Sequence, residues 1–141
     1  MPKVKDFMTK GVLTIDKDKT IVEAAELMSQ KEVGDIVVLD GEIPRGIVTE
    51  RDFVRRVVAR RKSIDTKISD IMTKPLITIG PEASLSVAAR RMVNNKIRRL
   101  PVMKHHELVG IIVVSDFAKH LSKKTFTESV LEAIWRSPTP Q

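Results

Sequence analysis

The chain has no cysteine among its 141 residues, which removes disulfides, thiolate metal sites and cysteine nucleophiles together. Its three histidines offer little to a metal, and two of them, His105 and His106, stand side by side in what reads as a turn. One tryptophan and no tyrosine leave few platforms on which single-stranded nucleic acid could stack. No apolar run approaches the roughly 20 residues needed to cross a bilayer. The opening Met1-Pro2-Lys3-Val4-Lys5-Asp6-Phe7 is charged and lacks the apolar stretch of a signal peptide, so a cytoplasmic protein with no membrane association is expected. There is also no glycine-rich phosphate loop, no metal cluster, and no nucleophile and base at motif spacing, and an enzyme is therefore not expected.

What is present is the make-up of a soluble globular domain, with 42% hydrophobic and 30% charged residues. The length suits one ordinary domain, or two half-size units that share a core because neither buries enough apolar surface alone. A net charge of +7 points to an anionic partner: a nucleotide phosphate, a nucleic acid or an acidic protein surface. Abundant Lys, Arg and Glu beside few Asn and Gln lean toward a heat-adapted source.

The chain repeats itself. Asp6-Phe7-Met8-Thr9-Lys10 returns as Asp70-Ile71-Met72-Thr73-Lys74, and the offset of 64 then holds without a gap as residues 4–57 align on 68–121. Fourteen of these 54 pairs are identical and eleven others exchange one apolar residue for another, which duplication explains far better than chance. The segments follow as repeat 1 (1–58), a polar linker (59–67), repeat 2 (68–121), and a tail (122–141) in which Thr125 to Arg136 reads as an amphipathic helix around Trp135.

Each repeat reads as β-α-β-β-α, which makes the fold class α/β (α+β). A short strand (Val12 to Ile15; Leu76 to Ile79) precedes a helix whose apolar face is Ile21, Ala24, Ala25 and Met28, or Leu85, Ala88, Ala89 and Met92. Thr20 with Glu23 has the form of a capping box, and Ser84 caps the second helix. Two apolar strands follow, Ile36 to Leu39 with Gly46 to Val48, then Leu100 to Met103 with Gly110 to Val114. A second helix starts near Thr49 or Ser115 and turns Phe53, Val54, Val57 and Val58, or Phe117, Ala118 and Leu121, inward.

The Asp-x-Met-Thr start, the Ala-Ala helix, the Leu100-Pro101-Val102 strand and the Gly46-Ile47-Val48-Thr49-x-x-Asp52 close resemble the cystathionine β-synthase (CBS) domain, and the tandem pair resembles a Bateman module. The resemblance implies two repeats packed through their sheets about a pseudo-twofold axis, with two clefts that bind adenosine-containing ligands (AMP, ADP, ATP or S-adenosylmethionine). It implies no required cofactor, no metal and no catalysis, a homodimer, and an unidentified regulated protein. By the family pattern Asp52 holds ribose hydroxyls and Thr49 contacts ribose or phosphate. The same Thr49-x-x-Asp52 spacing also suits a helix cap with an acidic first turn. The first cleft would be formed by Thr49, Asp52, Ile47, Gly34 and Asp35 with Met72, Ile77, Ile97 and Arg98 of the other repeat. The second would be formed by Asp116, Arg98 and Arg99 with Met8, Leu13, Val33 and Gly34. Val113 replaces Thr49 in the second repeat, so unequal clefts are expected. Arg98 and Arg99 could fork onto phosphate, which Asp35 would repel.

Two other functions compete with ligand sensing. Basic pairs such as Arg55-Arg56, Arg60-Arg61-Lys62 and Lys123-Lys124 could bind nucleic acid electrostatically, with a steep salt dependence. The module could also be a ligand-free dimerising adaptor.

Overall fold

The computed structural model describes residues 2–119 of the chain, so the tail helix expected around Trp135 and the inward Leu121 lie outside the described residues. Repeat 1 forms β1 (Thr14–Asp16), α1 (Ile21–Lys31), β2 (Asp35–Asp40) and β3 (Ile43–Thr49), then α2 (Glu50–Asp52), which passes directly into a π-helical stretch at Phe53–Val58. Repeat 2 forms α3 (Leu85–Asn95), β4 (Arg99–Lys104) and β5 (Glu107–Val113), closing on a 3-10 segment at Val114–Lys119. Thr20 and Ser84 start the two long helices as expected, each side-chain oxygen accepting the backbone N–H three residues on at 3.2 Å. Such a cap is worth about 1 kcal/mol.

In repeat 1 the sheet order is β1-β2-β3, with β1 parallel to β2 and β2 antiparallel to β3. The strand expected over Leu76 to Ile79 does not form in repeat 2, where only Ile79 bridges to Val102. The reason is in the side chains. In repeat 1, Val37 donates its N–H to Leu13 O and Lys17 donates to Leu39 O. Sixty-four residues on stand Pro101 and Pro81, which have no N–H to give.

The second helix also differs from its expected form. Ala59 and Lys62 donate to the carbonyls five residues back, Val54 and Val57. This wider winding turns Val57 and part of Phe53 inward but leaves Val54 63% and Val58 73% exposed, although the sequence pattern placed all four inside.

The two repeats hold each other through exchanged leading segments. Thr9 and Ile111 trade both backbone hydrogen bonds at 2.9 Å, and Thr73 and Ile47 do the same at 2.9 and 3.1 Å. Val4 N–H reaches Ala83 O while Ile68 N–H reaches Lys19 O. Every one of these contacts recurs 64 residues later with the repeats reversed, which is the signature of a pseudo-twofold axis. The side chains follow the backbone. Ile68 and Ile71 belong to the core of repeat 1, with Ile15, Ile36, Val38 and Val48, whereas Val4 belongs to the core of repeat 2, with Leu100, Val102 and Ile112. Burial of an Ile or Val side chain contributes about 2 kcal/mol, so neither core is complete without the other repeat.

The close approach of these segments explains two glycines. A Cβ on Gly46 would stand 2.6 Å from Met72 Sδ and 2.8 Å from Thr73 O, and one on Gly110 would stand 2.6 Å from Met8 Sδ and 2.9 Å from Thr9 O. Only glycine lets the exchanged segment lie flat on the strand.

Candidate functional site

The site begins where β3 becomes a helix. Thr49 is extended and N-caps α2, and its N–H donates to Asp52 Oδ2 at 2.9 Å while its hydroxyl donates to the same oxygen at 3.3 Å. Asp52 Oδ1 faces Arg56 Nε at 3.6 Å, and Arg56 Nη1 donates to Ile71 O at 2.9 Å. The capping role foreseen for this carboxylate is therefore real, but it is spent on one oxygen. A carboxylate offers about four lone-pair sites, so Oδ1 keeps acceptor capacity toward a diol.

Repeat 2 keeps the same skeleton with less polarity. Val113 N–H donates to Asp116 Oδ2 at 2.8 Å, and Asp116 is more deeply buried than Asp52, at 5% exposed. Valine supplies no hydroxyl to match that of Thr49.

Several of the expected residues come together around Asp52. Asp35 sits opposite Thr49 in the β2–β3 register, Gly34 O accepts the Glu50 N–H at 3.1 Å, and Ile47 lies on the Thr73 bridge beside Met72. Met72 packs against the core of repeat 1, as does Leu13, while Met8, Ile77 and Ile97 pack against that of repeat 2. All five are half-buried. Val33 and Arg98 are exposed, and the Arg98 carbonyl accepts the Val114 N–H at 2.9 Å.

The axis itself is occupied by a charge pair. Arg99, the counterpart of Asp35, has its Nε 3.0 Å from Asp35 Oδ2. The buried Nε–H is poorly aligned with that oxygen, so the contact acts as a charge pair more than as a well-formed hydrogen bond. Burial pushes the Asp35 carboxyl above its ordinary range, Arg99 pulls it down, and Glu50 pushes it up again, with a net rise.

Two residues escaped the sequence reading. Arg56 touches Asp52, and its i, i+4 spacing was the available signal. Glu50 lies against Gly34, its carboxylate carbon 3.6 Å from where a Cβ would stand, and nothing in the motif pointed to it. A shallow groove on α1, lined by Ile15, Lys19, Glu23, Glu26, Leu27 and Gln30, contains none of the expected site residues. Among the described residues no cluster of His, Asp and Glu is arranged to hold a metal, and no helix is long and apolar enough to cross a membrane.

Comparison with known proteins identifies the family and the fold. The CBS domain matches twice, over residues 4–59 and 68–123. A CBS domain-containing protein of Bacillus subtilis (strain 168), YhcV, is 39% identical over 118 residues, covering 84% of each chain. The hexameric CBS-CP12 protein from bloom-forming cyanobacteria superposes with a TM-score of 0.77 at 33% identity, covering 94% of this chain and 82% of that one. The CBS domain pair of protein MJ0100, solved in complex with 5'-methylthioadenosine and S-adenosyl-L-methionine, superposes with a TM-score of 0.76. At 24% identity, over 85% of this chain and 95% of that one, its likeness is one of fold.

Proposed function

The chain belongs to the CBS-domain family as a tandem pair, a regulatory and generally non-catalytic kind of module, and on that premise we propose that it senses an adenosine-containing ligand (AMP, ADP, ATP or S-adenosylmethionine) between its repeats. The observation that carries the reading is the Asp52 carboxylate, anchored to the backbone through Oδ2 and keeping acceptor sites on Oδ1. In this reading Asp52 takes the ribose hydroxyls, Thr49 adds a hydroxyl, and Met72 and Ile47 form an apolar wall for the base. Gly34, Asp35, Ile77, Ile97 and Arg98 complete that cleft, while Asp116, Arg98, Arg99, Met8, Leu13, Val33 and Gly34 serve the other.

The exchanged segments supply the route of signalling. A ligand held by Asp52 of repeat 1 and by the Met72 segment of repeat 2 favours one arrangement of the two repeats over others, and the population shifts by its differential affinity for them. The readers would be a second copy of this chain and a separate regulated protein in the cytoplasm. Val54 and Val58, exposed on the second helix, favour the homodimer.

A thermal-shift screen of AMP, ADP, ATP, S-adenosylmethionine and GTP tests the reading. A ligand at 100 times its Kd stabilises by about 2.7 kcal/mol, a clear shift, and the shift is expected to be lost in Asp52→Ala. No shift with any adenosyl compound overturns it.

A second reading rests on the exposed basic run of Arg51, Arg55, Arg60, Arg61 and Lys62, which could meet nucleic acid. It requires binding that falls steeply with salt, and absence of binding at low salt removes it.

A further inference from the structure

Asp52 and Met72, which face one cleft, come from different repeats. Asp52 ends α2 in repeat 1, and Met72 belongs to the leading segment of repeat 2 that lies over Gly46 of β3. A nucleoside holds its base and sugar one bond apart, so a cleft built from two repeats needs its parts kept at a fixed spacing. The paired backbone bonds of Ile47 with Thr73 hold the segment to β3. They do not touch the Asp52 side chain.

Arg56 does. Its Nη1 donates to Ile71 O at 2.9 Å, one residue before Met72, and its Nε stands 3.6 Å from Asp52 Oδ1. Ile71 is 1% exposed, so its carbonyl depends on a partner from the protein. The guanidinium is one rigid plane, and a shift of the Ile71 carbonyl therefore carries Nε with it against Asp52. Thr49 holds Oδ2 through its N–H and its hydroxyl, and Arg56 bounds Oδ1, so the carboxylate is held on both sides. At 3.6 Å the Nε contact is electrostatic and not a hydrogen bond, which orients Oδ1 without filling its acceptor sites. Arg56 itself lies in the π-helical stretch Phe53–Val58, a winding that recurs at functional sites.

Resting on the adenosyl-binding reading above, we propose that Arg56 is the positioning residue of the Asp52 cleft: it fixes the carboxylate of repeat 1 against the Met72 segment of repeat 2, and so sets the preference for a ribose diol over deoxyribose.

A carboxylate fixed in place gains from both hydroxyls of the diol, whereas one free to turn follows whichever hydroxyl remains. The ratio of affinities for the ribose and 2′-deoxyribose forms of one ligand therefore reads the placing of Asp52 separately from the strength of binding.

Calorimetric titration of the full chain with adenosine, AMP and ATP, each against its 2′-deoxy form, tests the role on the wild type, Arg56→Met and Arg56→Lys. The wild type should favour the ribose form by about tenfold, the worth of one hydrogen bond to a charged acceptor. In Arg56→Met the ribose form should lose about tenfold and the deoxy form less than about threefold. Arg56→Lys keeps the charge but not the planar fork, and its ratio should fall likewise. Added to Asp52→Asn, Arg56→Met should leave the ratio where Asp52→Asn alone sets it. Should Arg56→Met fail to fold, Arg56→Lys decides alone. Equal losses for both sugar forms would mean a merely structural arginine, and a wild-type ratio in Arg56→Lys would mean that charge alone suffices; either overturns the positioning role. If the wild type binds both sugar forms alike, that role falls while adenosyl binding stands, and if it binds none of the six compounds both fall.

Discussion

Repeat 1 lays β1 alongside β2 over three residues, while the same stretch of repeat 2 touches its sheet at Ile79 alone, although the two copies share helix caps, core pattern and the exchange of leading segments. The features that persisted depend on apolar volume and on backbone groups that most residues provide. Ile68 does for one core what Val4 does for the other, and Thr20 and Ser84 cap equally well. The feature that was lost depends on N–H groups at two positions, which proline at 81 and 101 cannot provide. Duplicated units diverge most freely where a single atom, and not a volume, makes the contact.

The comparison can be broken most severely at the exchanged segments. Ile68→Ala leaves a cavity in the core of repeat 1 and should destabilise by about 2–5 kcal/mol in chemical denaturation, with Val4→Ala costing less because a smaller side chain is lost. Unfolding should stay a single transition in both variants, since each core needs the other repeat. Two separate transitions would show that the repeats are independent.

Next in size are the close approaches. Gly46→Ala and Gly110→Ala should each cost about 1–3 kcal/mol, and by similar amounts, because the added Cβ meets a methionine sulfur and a backbone oxygen at matching distances in both. A large inequality in denaturant midpoint would mean that one segment yields more easily than the other.

Pro101→Val should restore one of the two N–H groups that repeat 2 lost, with Pro81 left in place. Val37 N–H bonds to Leu13 O, and by the 64-residue offset the new N–H at 101 should take the carbonyl of Ile77, for a net gain of about 0.5–1.5 kcal/mol less what proline gave through chain stiffness. Hydrogen exchange checks it directly: residue 101 should acquire a protected amide, and fast exchange there would refute the explanation.

The smallest effect is expected at the surface. Lys3 and Lys5 bond to Glu82 and draw its carboxyl down from 4.5 to about 2. A lowered acid contributes stability above its unfolded value and loses it as pH falls through the folded one, so the tie should weaken between pH 4.5 and about 2. Glu82→Gln should flatten the dependence of Tm on pH in that window. The pseudo-symmetric Asp18, drawn down by Lys17 and Lys67, predicts a like change in Asp18→Asn. Both groups are fully exposed, so salt should diminish each effect.

Much of the architecture was legible in the residues because repetition reports itself. The offset of 64, the apolar helix faces and the caps follow from periodicity and side-chain type, which are local properties. The Thr49 and Asp52 junction was equally plain. Three features were not. The winding that turns Val54 and Val58 outward depends on which carbonyl each N–H selects, and no residue type marks that choice. Glu50 carried no motif, and its importance comes from lying over Gly34 and near Asp35. Arg99 read as a free phosphate partner until the fold set it against Asp35.

The sequence by itself determined that there are two β-α-β-β-α units, where their helices begin, which residues are apolar enough to form cores, and that the units differ at Val113, Pro81 and Pro101. Only the tertiary structure decided that each core is finished by the other unit, that Gly46 and Gly110 lie beneath methionines, and that opposite charges at positions 35 and 99 meet on the axis. The division has a physical cause. Pattern and composition act over a few residues of chain, whereas contacts 64 or more residues apart exist only once the chain has folded back on itself.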